Sequence, residues 1–148
     1  MRPLGIPAGR DRTVQAALRQ VLEPIFERDF APSSHGFRPG RGGAGAVARG
    51  EELLGADHAW CVAADRKSYF DTIPHERLMA LVQQRVEDGH SLRLVRQYLK
   101  AGVLEGCQGW QPTEQGTPQG AVISPLLANL YLNPLDHAVA RRGWAMVR

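Results

Sequence analysis

Apolar residues recur every three or four positions in four stretches of the chain, and this period predicts four helices with one buried face each. The first stretch follows Asp11, a residue type that is typical of helix N-caps, and Pro24 should kink its last turn. The fourth follows Ser124 and Pro125, a cap and a proline that favour a helix start. The periodic positions are Val14, Ala17, Leu18, Val21, Ile25 and Phe26; Leu78, Leu81, Val82 and Val86; Leu92, Val95, Tyr98 and Leu99; and Leu127, Leu130, Tyr131 and Leu135.

Other parts of the chain lack this period. A short apolar run at 60–64, leading into Asp65, predicts a buried strand, and a second run at 144–147 predicts the start of another strand. Residues 103–117 contain three glycines and predict a hairpin or a long loop. Residues 31–50 are rich in Pro, Ser and Gly and predict a loop, with a short helix after it.

Length and hydropathy limit the class of protein. The chain has 148 residues, 43% of them hydrophobic, which suits one domain with a real core. No apolar run approaches the ~20 residues of a membrane-spanning helix, and no charged start precedes an apolar stretch as in a signal peptide. Cys61 and Cys107 form no CxxC pair and should be reduced thiols. We therefore expect a cytoplasmic protein without a membrane partner.

Positive charge is concentrated near the start of the chain. Lys and Arg together number 18, and only Lys67 and Lys100 are lysines, against 15 acidic residues. Residues 1–49 hold eight arginines and four acids, whereas the rest of the chain is near balance. Arginine suits phosphate, although a GC-rich gene would give the same bias. The excess is a weak indication of a polyanionic partner.

A first segment that could carry chemistry contains Asp65 and Asp71. A carboxylate at the end of a buried strand, beside a turn, could hold a divalent cation such as magnesium. The alternative is structural, because Asp65 could cap the turn and Asp71 the helix that follows. Taken alone, the segment favours the structural explanation.

Two further segments are also open to two explanations. In residues 116–125, glycines lie on both sides of Gln119, so the backbone there could approach a ligand closely. The alternative is that this glycine-rich segment is only a loop that leads into a capped helix. Residues 36–41 carry Arg38 and Arg41 on a loop stiffened by Pro and Gly, where they could clamp phosphate or be solvated charges.

Together and in this order, the segments resemble the reverse transcriptase domain of bacterial group II intron-encoded and retron-type proteins. The resemblance covers nearly the whole chain, and four ordered motifs are very specific. The matching segments are Arg2-Pro-Leu-Gly-Ile-Pro7 with Asp11-Arg12-x-Val14-Gln15, Gly36-Phe-Arg-Pro-Gly-Arg41, Asp65-x-Lys67-x-x-Phe70-Asp71, and Thr117-Pro-Gln-Gly120 running through Ser124-Pro-Leu-Leu-Ala-Asn-Leu-Tyr-Leu132.

The resemblance implies an α+β fold that comprises the incomplete fingers and palm of a right-hand polymerase. Residues 1–148 would be a partial reverse transcriptase domain. Within it, residues 1–58 would be fingers, 59–76 a palm strand and turn, 77–118 a helical fingers or palm region with a hairpin, and 119–148 a palm helix and the start of the next strand.

The resemblance also implies residue roles in two-metal nucleotidyl transfer with Mg²⁺. Asp65 would be the first catalytic metal ligand, beside the main-chain carbonyl of Arg66. Phe70 would exclude a 2′-hydroxyl and so select deoxynucleotides. The other residues implied to meet nucleotide or template are Arg12, Arg38, Arg41, Gln119 and Gly120.

One element of the family pattern is missing. The Tyr-x-Asp-Asp box, which supplies further catalytic carboxylates, normally follows the strand that starts near Trp144, and the sequence contains no Asp-Asp pair. Two hypotheses remain. The chain is a fragment of an RNA-directed DNA polymerase and is inactive alone, or it is a non-catalytic remnant or RNA-binding module with an intron RNA-binding or maturase role.

The expected partners follow from the same resemblance. They are an RNA template with a DNA primer, or intron RNA, together with a deoxynucleoside triphosphate. An incomplete palm sheet would leave an unpaired edge, so self-association is also expected.

Overall fold

The computed structural model describes residues 5–56, 58, 60–105, 109–118 and 120–148, and within them it contains five helices and one two-stranded sheet. This architecture is consistent with the α+β class, and α1, α3, α4 and α5 confirm the four helices that the apolar period predicts. In chain order the elements are α1 (Gly9–Glu27), α2 (Gly43–Gly55), a 3-10 turn (Phe70–Thr72), α3 (His75–Gln83), α4 (Gly89–Leu99), β1 (Val103–Glu105), β2 (Gly109–Gln111) and α5 (Ser124–Arg141).

Helix α5 organises the core. It packs against α1 and α3, and α3 packs in turn against α4. Burial of each large apolar side chain contributes ~1.5–3 kcal/mol, so the periodic residues hold α5 in place. No helix in the described part of the chain is both long and apolar enough to cross a membrane. The most deeply buried core residues include Leu22, Phe26, Ile73, Leu78, Val82, Leu99 and Leu127.

Two predicted caps are wrong. Helix α1 begins at Gly9 with Ala8 at its N-cap, so Asp11 lies inside the first turn, where its charge still complements the helix dipole. Helix α5 has Ile123 at its N-cap, and the Ser124 hydroxyl donates to the carbonyl of Pro118 at 2.8 Å instead of capping. Both helices therefore begin before the position that was predicted from the polar residue.

The two predicted strands at 60–64 and 144–147 are absent. Residues 60–66 are exposed and have no regular secondary structure, with Trp60 91% exposed. A strand needs a neighbouring backbone to pair with, and in the described residues the only ladder joins β1 to β2. Neither apolar run has a partner strand among the described residues, so both strand predictions are wrong.

The hairpin prediction is confirmed, whereas the loop prediction is wrong in part. Strands β1 and β2 pair antiparallel, with Leu104 opposite Trp110. Residues 43–50, predicted as loop, form the first part of α2. Alanines between the glycines are strong helix formers, and they outweigh the glycine content there. None of the α2 side chains is buried.

Candidate functional site

Two of the predicted functional segments lie against each other. Residues 69–74, here the Phe70 turn, run beside the segment that follows β2. The backbone N–H of Thr117 donates to the carbonyl of Phe70, and that of Gly116 donates to the carbonyl of Ile73, both at 2.7 Å. The end of the Asp65–Asp71 motif is therefore next to the start of the Thr117–Gly120 motif.

Gly116 makes this close approach feasible. Its φ is +88°, and a Cβ there would lie 2.7 Å from the Asp71 carbonyl oxygen. The buried His75 donates from Nε2 to the Gly116 carbonyl at 2.7 Å. This contact gives His75 a structural role at the junction of the two segments.

Tyr69 attaches the Phe70 turn to the core. Its hydroxyl donates to the Ala128 carbonyl in α5 at 2.7 Å, and its ring meets Phe70 edge-on with centroids 5.7 Å apart. Burial raises the pKa of the Tyr69 phenol, so the hydroxyl stays protonated and keeps donating. The Arg66 guanidinium lies 5.7 Å from the Tyr69 ring centroid. Sequence reasoning gave Tyr69 no role.

Asp65 lies on the exposed stretch before that turn. We call residues 60–68 the aspartate segment, and all of them are exposed. The described residues contain no group of three His, Cys, Asp or Glu side chains that could hold a metal ion. Two magnesium ions need more carboxylate ligands than Asp65 supplies, so the residues described do not fit a complete two-metal centre.

The structure describes one of the two predicted site residues in the glycine-rich segment, residues 116–125. Gln119 lies outside the described residues. Gly120 is exposed with φ +97°, a conformation that favours glycine. The loop is tied to α1 because the backbone N–H of Val122 donates to Oε1 of the buried Gln15 at 2.9 Å. Gln15 belongs to the Asp11–Gln15 motif, so three motifs meet around this loop.

A second cluster surrounds residues 29–41, here the arginine loop. Arg38 is buried: Nε and Nη2 donate to Glu27 Oε1 at 2.9 and 2.6 Å, while Nη1 donates to the carbonyls of Ala31 and Ser34. Its guanidinium also lies 5.3 Å from the Phe30 ring centroid. Arg38 therefore holds the loop from within.

The other two predicted arginines are exposed. Arg12 is on the outer surface of α1. Arg41 donates from Nη1 to the Pro32 carbonyl at 2.8 Å and remains open to solvent. The structure thus separates one internal arginine, Arg38, from two that an outside ligand can reach.

Polar side chains of α5 fix the arginine loop. Asn129 donates to the Gly36 carbonyl at 2.8 Å. Asn133 accepts from the Ala31 N–H at 3.1 Å and donates to the Asp29 carbonyl at 3.0 Å. Sequence reasoning missed both asparagines, although amides four residues apart on an otherwise apolar helix are a usable signal of a polar attachment.

Arg148 completes this attachment. It pairs with the buried Asp136 at 2.6 Å and also donates to Asn129 Oδ1 and Ser34 Oγ, each at 2.9 Å. Its backbone N–H donates to the Ser33 carbonyl, and its carbonyl accepts from the His35 N–H at 2.6 Å. Arg148, which directly follows the run at 144–147 that was predicted as a strand, is therefore bound to the arginine loop.

The structure thus brings the Phe70 turn, the start of the Thr117–Gly120 motif and Gln15 of α1 together, and it attaches the arginine loop to α5. Residues 1–147 match the family described as reverse transcriptase (RNA-dependent DNA polymerase). The chain belongs to this family, and the resemblance found in the sequence is confirmed.

Several curated proteins are similar to the chain over most of its length. Group II intron-encoded protein LtrA of Lactococcus lactis subsp. cremoris is 44% identical over 94% of this chain and 23% of its own length. Protein YkfC of Escherichia coli (strain K12) is 42% identical over 96% of this chain and 38% of its own. Nuclear intron maturase 4, mitochondrial, of Arabidopsis thaliana is 33% identical over 93% and 17%, respectively. The chain thus spans well under half the length of each.

Proposed function

We propose that the chain serves RNA-directed DNA synthesis of the group II intron type, as the fingers and part of the palm of a reverse transcriptase. Residues 1–58 would be fingers, 59–76 the palm segment that contains the Phe70 turn, 77–118 the helical region with the hairpin, and 119–148 the palm region that contains α5. Its partners would be an RNA template with a DNA primer, or intron RNA, and a deoxynucleoside triphosphate.

The backbone pairing of Thr117 with Phe70 carries this proposal. Nucleotide selection needs an aromatic barrier and a backbone platform in fixed relation, because small displacements are costly in catalysis. The 2.7 Å hydrogen bond and the Tyr69 attachment to α5 provide a rigid base for such a relation. We assign Phe70 to sugar discrimination and Gln119 and Gly120 to the nascent base pair.

Asp65, with the main-chain carbonyl of Arg66, is proposed as a metal-binding position of the assembled polymerase, with Mg²⁺ as its cofactor. Arg12 and Arg41 are proposed to meet triphosphate or template, since both are exposed. Arg38 is better assigned to shaping the arginine loop, because its donors are engaged by Glu27 and two carbonyls.

The 148-residue chain alone is expected not to polymerise. Asp65 is its one carboxylate at the predicted metal position, and the sequence has no Asp-Asp pair to add others. A second candidate function, RNA binding without turnover, is favoured by the exposed Arg12 and Arg41. The two functions are compatible, since a chain can hold a template that it cannot copy.

One experiment separates them. The chain is incubated with labelled poly(rA)/oligo(dT), dTTP and Mg²⁺, and fluorescence anisotropy and primer extension are measured on the same samples. We expect binding that weakens steeply as salt rises, because neutralised phosphates release counterions, and no primer extension.

Asp65→Asn is the matched control for contaminating polymerase. Template-dependent dTTP incorporation that Asp65→Asn abolishes would overturn the inactivity of the isolated chain. A chain that fails to bind the primer–template at low salt would contradict the nucleic-acid role itself.

A further inference from the structure

Phe37 combines an unfavourable backbone conformation with an exposed aromatic side chain. Its φ is +57°, in the left-handed region that disfavours residues with a bulky side chain. Its side chain is nevertheless left in solvent, with the residue 66% exposed. Because most of Phe37 is in solvent, burial of its ring does little to offset the unfavourable backbone conformation. Residues with such unfavourable backbone angles concentrate at ligand-binding positions.

The residues on both sides of Phe37 are held firmly. The carbonyl of Gly36 accepts from Asn129 in α5 at 2.8 Å. On the other side, the Arg38 guanidinium is buried and bonded to Glu27. Phe37 therefore lies between two residues that are each bonded to a helix. The fold holds the backbone at Phe37 in place while its ring is exposed to solvent.

An exposed positive charge follows Phe37 along the arginine loop. The two acids of this region are occupied, because Glu27 pairs with Arg38 and Asp29 pairs with Arg85 at 2.7 Å. Arg41, four residues after Phe37, is exposed to solvent. An outward aromatic ring with an exposed arginine four residues along the loop suits a single-stranded nucleic acid, whose bases stack on the ring while its phosphates meet arginine.

We propose that Phe37 is a stacking platform for an unpaired base of single-stranded RNA, with Arg41 contacting the adjoining backbone. This inference rests on the proposed nucleic-acid role and adds to it a residue to which neither the sequence motifs nor the family match assigns a function. Asn129 and Arg38 act as positioning residues, since each bonds to a neighbour of Phe37 or to the loop around it.

The test compares two ligands of equal charge. The full chain is titrated by fluorescence anisotropy with labelled oligo(rA) and with an oligonucleotide of the same length whose bases are replaced by abasic sites. Stacking on one ring is lost in Phe37→Leu, so we expect oligo(rA) affinity to fall by about 5- to 150-fold. Affinity for the abasic strand, and the dependence on salt, should stay as in the unchanged chain.

Phe37→Trp should retain the affinity for oligo(rA), because a larger ring stacks at least as well. Trp144→Leu is the matched control, since Trp144 is 63% exposed and lies outside the arginine loop. It should leave both affinities unchanged. Far-UV circular dichroism checks that each variant keeps its helices.

Different outcomes identify different failures. If Phe37→Leu binds oligo(rA) as tightly as the unchanged chain, or loses the same factor for both ligands, base stacking by Phe37 is overturned while the RNA-binding role stands. If the unchanged chain binds neither ligand at low salt, both the stacking and the proposed nucleic-acid role are overturned.

Discussion

The arginine loop and the aspartate segment are both irregular, and both carry residues of the family motifs, yet they differ sharply in how they are held. Side chains of α5, a buried arginine and Arg148 fix the arginine loop. The aspartate segment is exposed throughout and is fixed where it enters the Phe70 turn, through Tyr69 and Thr117.

This difference shows that an irregular backbone is held in place where neighbouring helices supply polar side chains to bond with it. A loop cannot use a regular ladder, so its carbonyls and N–H groups must find side chains or water. The arginine loop finds them on α5, whereas the residues of the aspartate segment are exposed to solvent. The comparison can be tested by removing attachments from each region.

Arg38→Ala should give the largest loss. It leaves the Glu27 carboxylate and the carbonyls of Ala31 and Ser34 without their donor, so we expect the free energy of unfolding to fall by about 3 kcal/mol. Urea denaturation followed by circular dichroism measures it. The matched control is Arg66→Ala in the aspartate segment, which should change stability by under about 0.5 kcal/mol. Equal losses would show that the two regions are held alike.

Gly116→Ala should disturb the point where the Phe70 turn is attached. The new Cβ combines an unfavourable φ of +88° with a contact 2.7 Å from the Asp71 backbone, and we expect a loss of about 2–3 kcal/mol. Gly143→Ala is the control, because Gly143 has φ +74° but open space around its Cβ position. The difference between the two variants, measured by thermal unfolding, isolates the steric contact. No difference would contradict the close approach.

Asn133→Ala should have a smaller, local effect. It removes the acceptor of the Ala31 N–H and the donor to the Asp29 carbonyl, which predicts a loss of about 1–2 kcal/mol. Hydrogen exchange should become faster at the Ala31 amide, while amides of α4 keep their protection. Leu135→Ala, at an exposed position of the same helix, serves as the control. Unchanged exchange at Ala31 would mean that α5 does not order the arginine loop.

The helices could be predicted from sequence because their signal is local. Apolar residues such as Leu78 and Val82 recur at the helical period whatever lies next to them. The strand predicted at 60–64 is wrong, because a strand depends on a partner from elsewhere in the chain, which a local apolar run does not report. The first part of helix α2 was predicted as a loop because glycines alternate with its alanines.

The candidate site shows the same difference between features with a local sequence signal and features that depend on distant residues. Motif order identified the segments around Phe70 and Thr117, and the structure brings them together. The burial of Arg38 and the contacts of Asn129 and Asn133 depend on how the arginine loop folds onto α5, which no local pattern reports. The residue roles assigned to Asp65, Gln119 and Gly120 remain predictions.

The attachments of the arginine loop also bear on the order in which the chain folds. The contact of Asn133 with Ala31 spans 102 residues, that of His137 with Asp29 spans 108, and that of Arg148 with Ser34 spans 114. Contacts so distant in sequence are slow to form, because the entropy of closing a long loop must be overcome first. We therefore expect α3 and α4, which are neighbours in sequence, to pair early, and the arginine loop to take its shape only after α5 has docked.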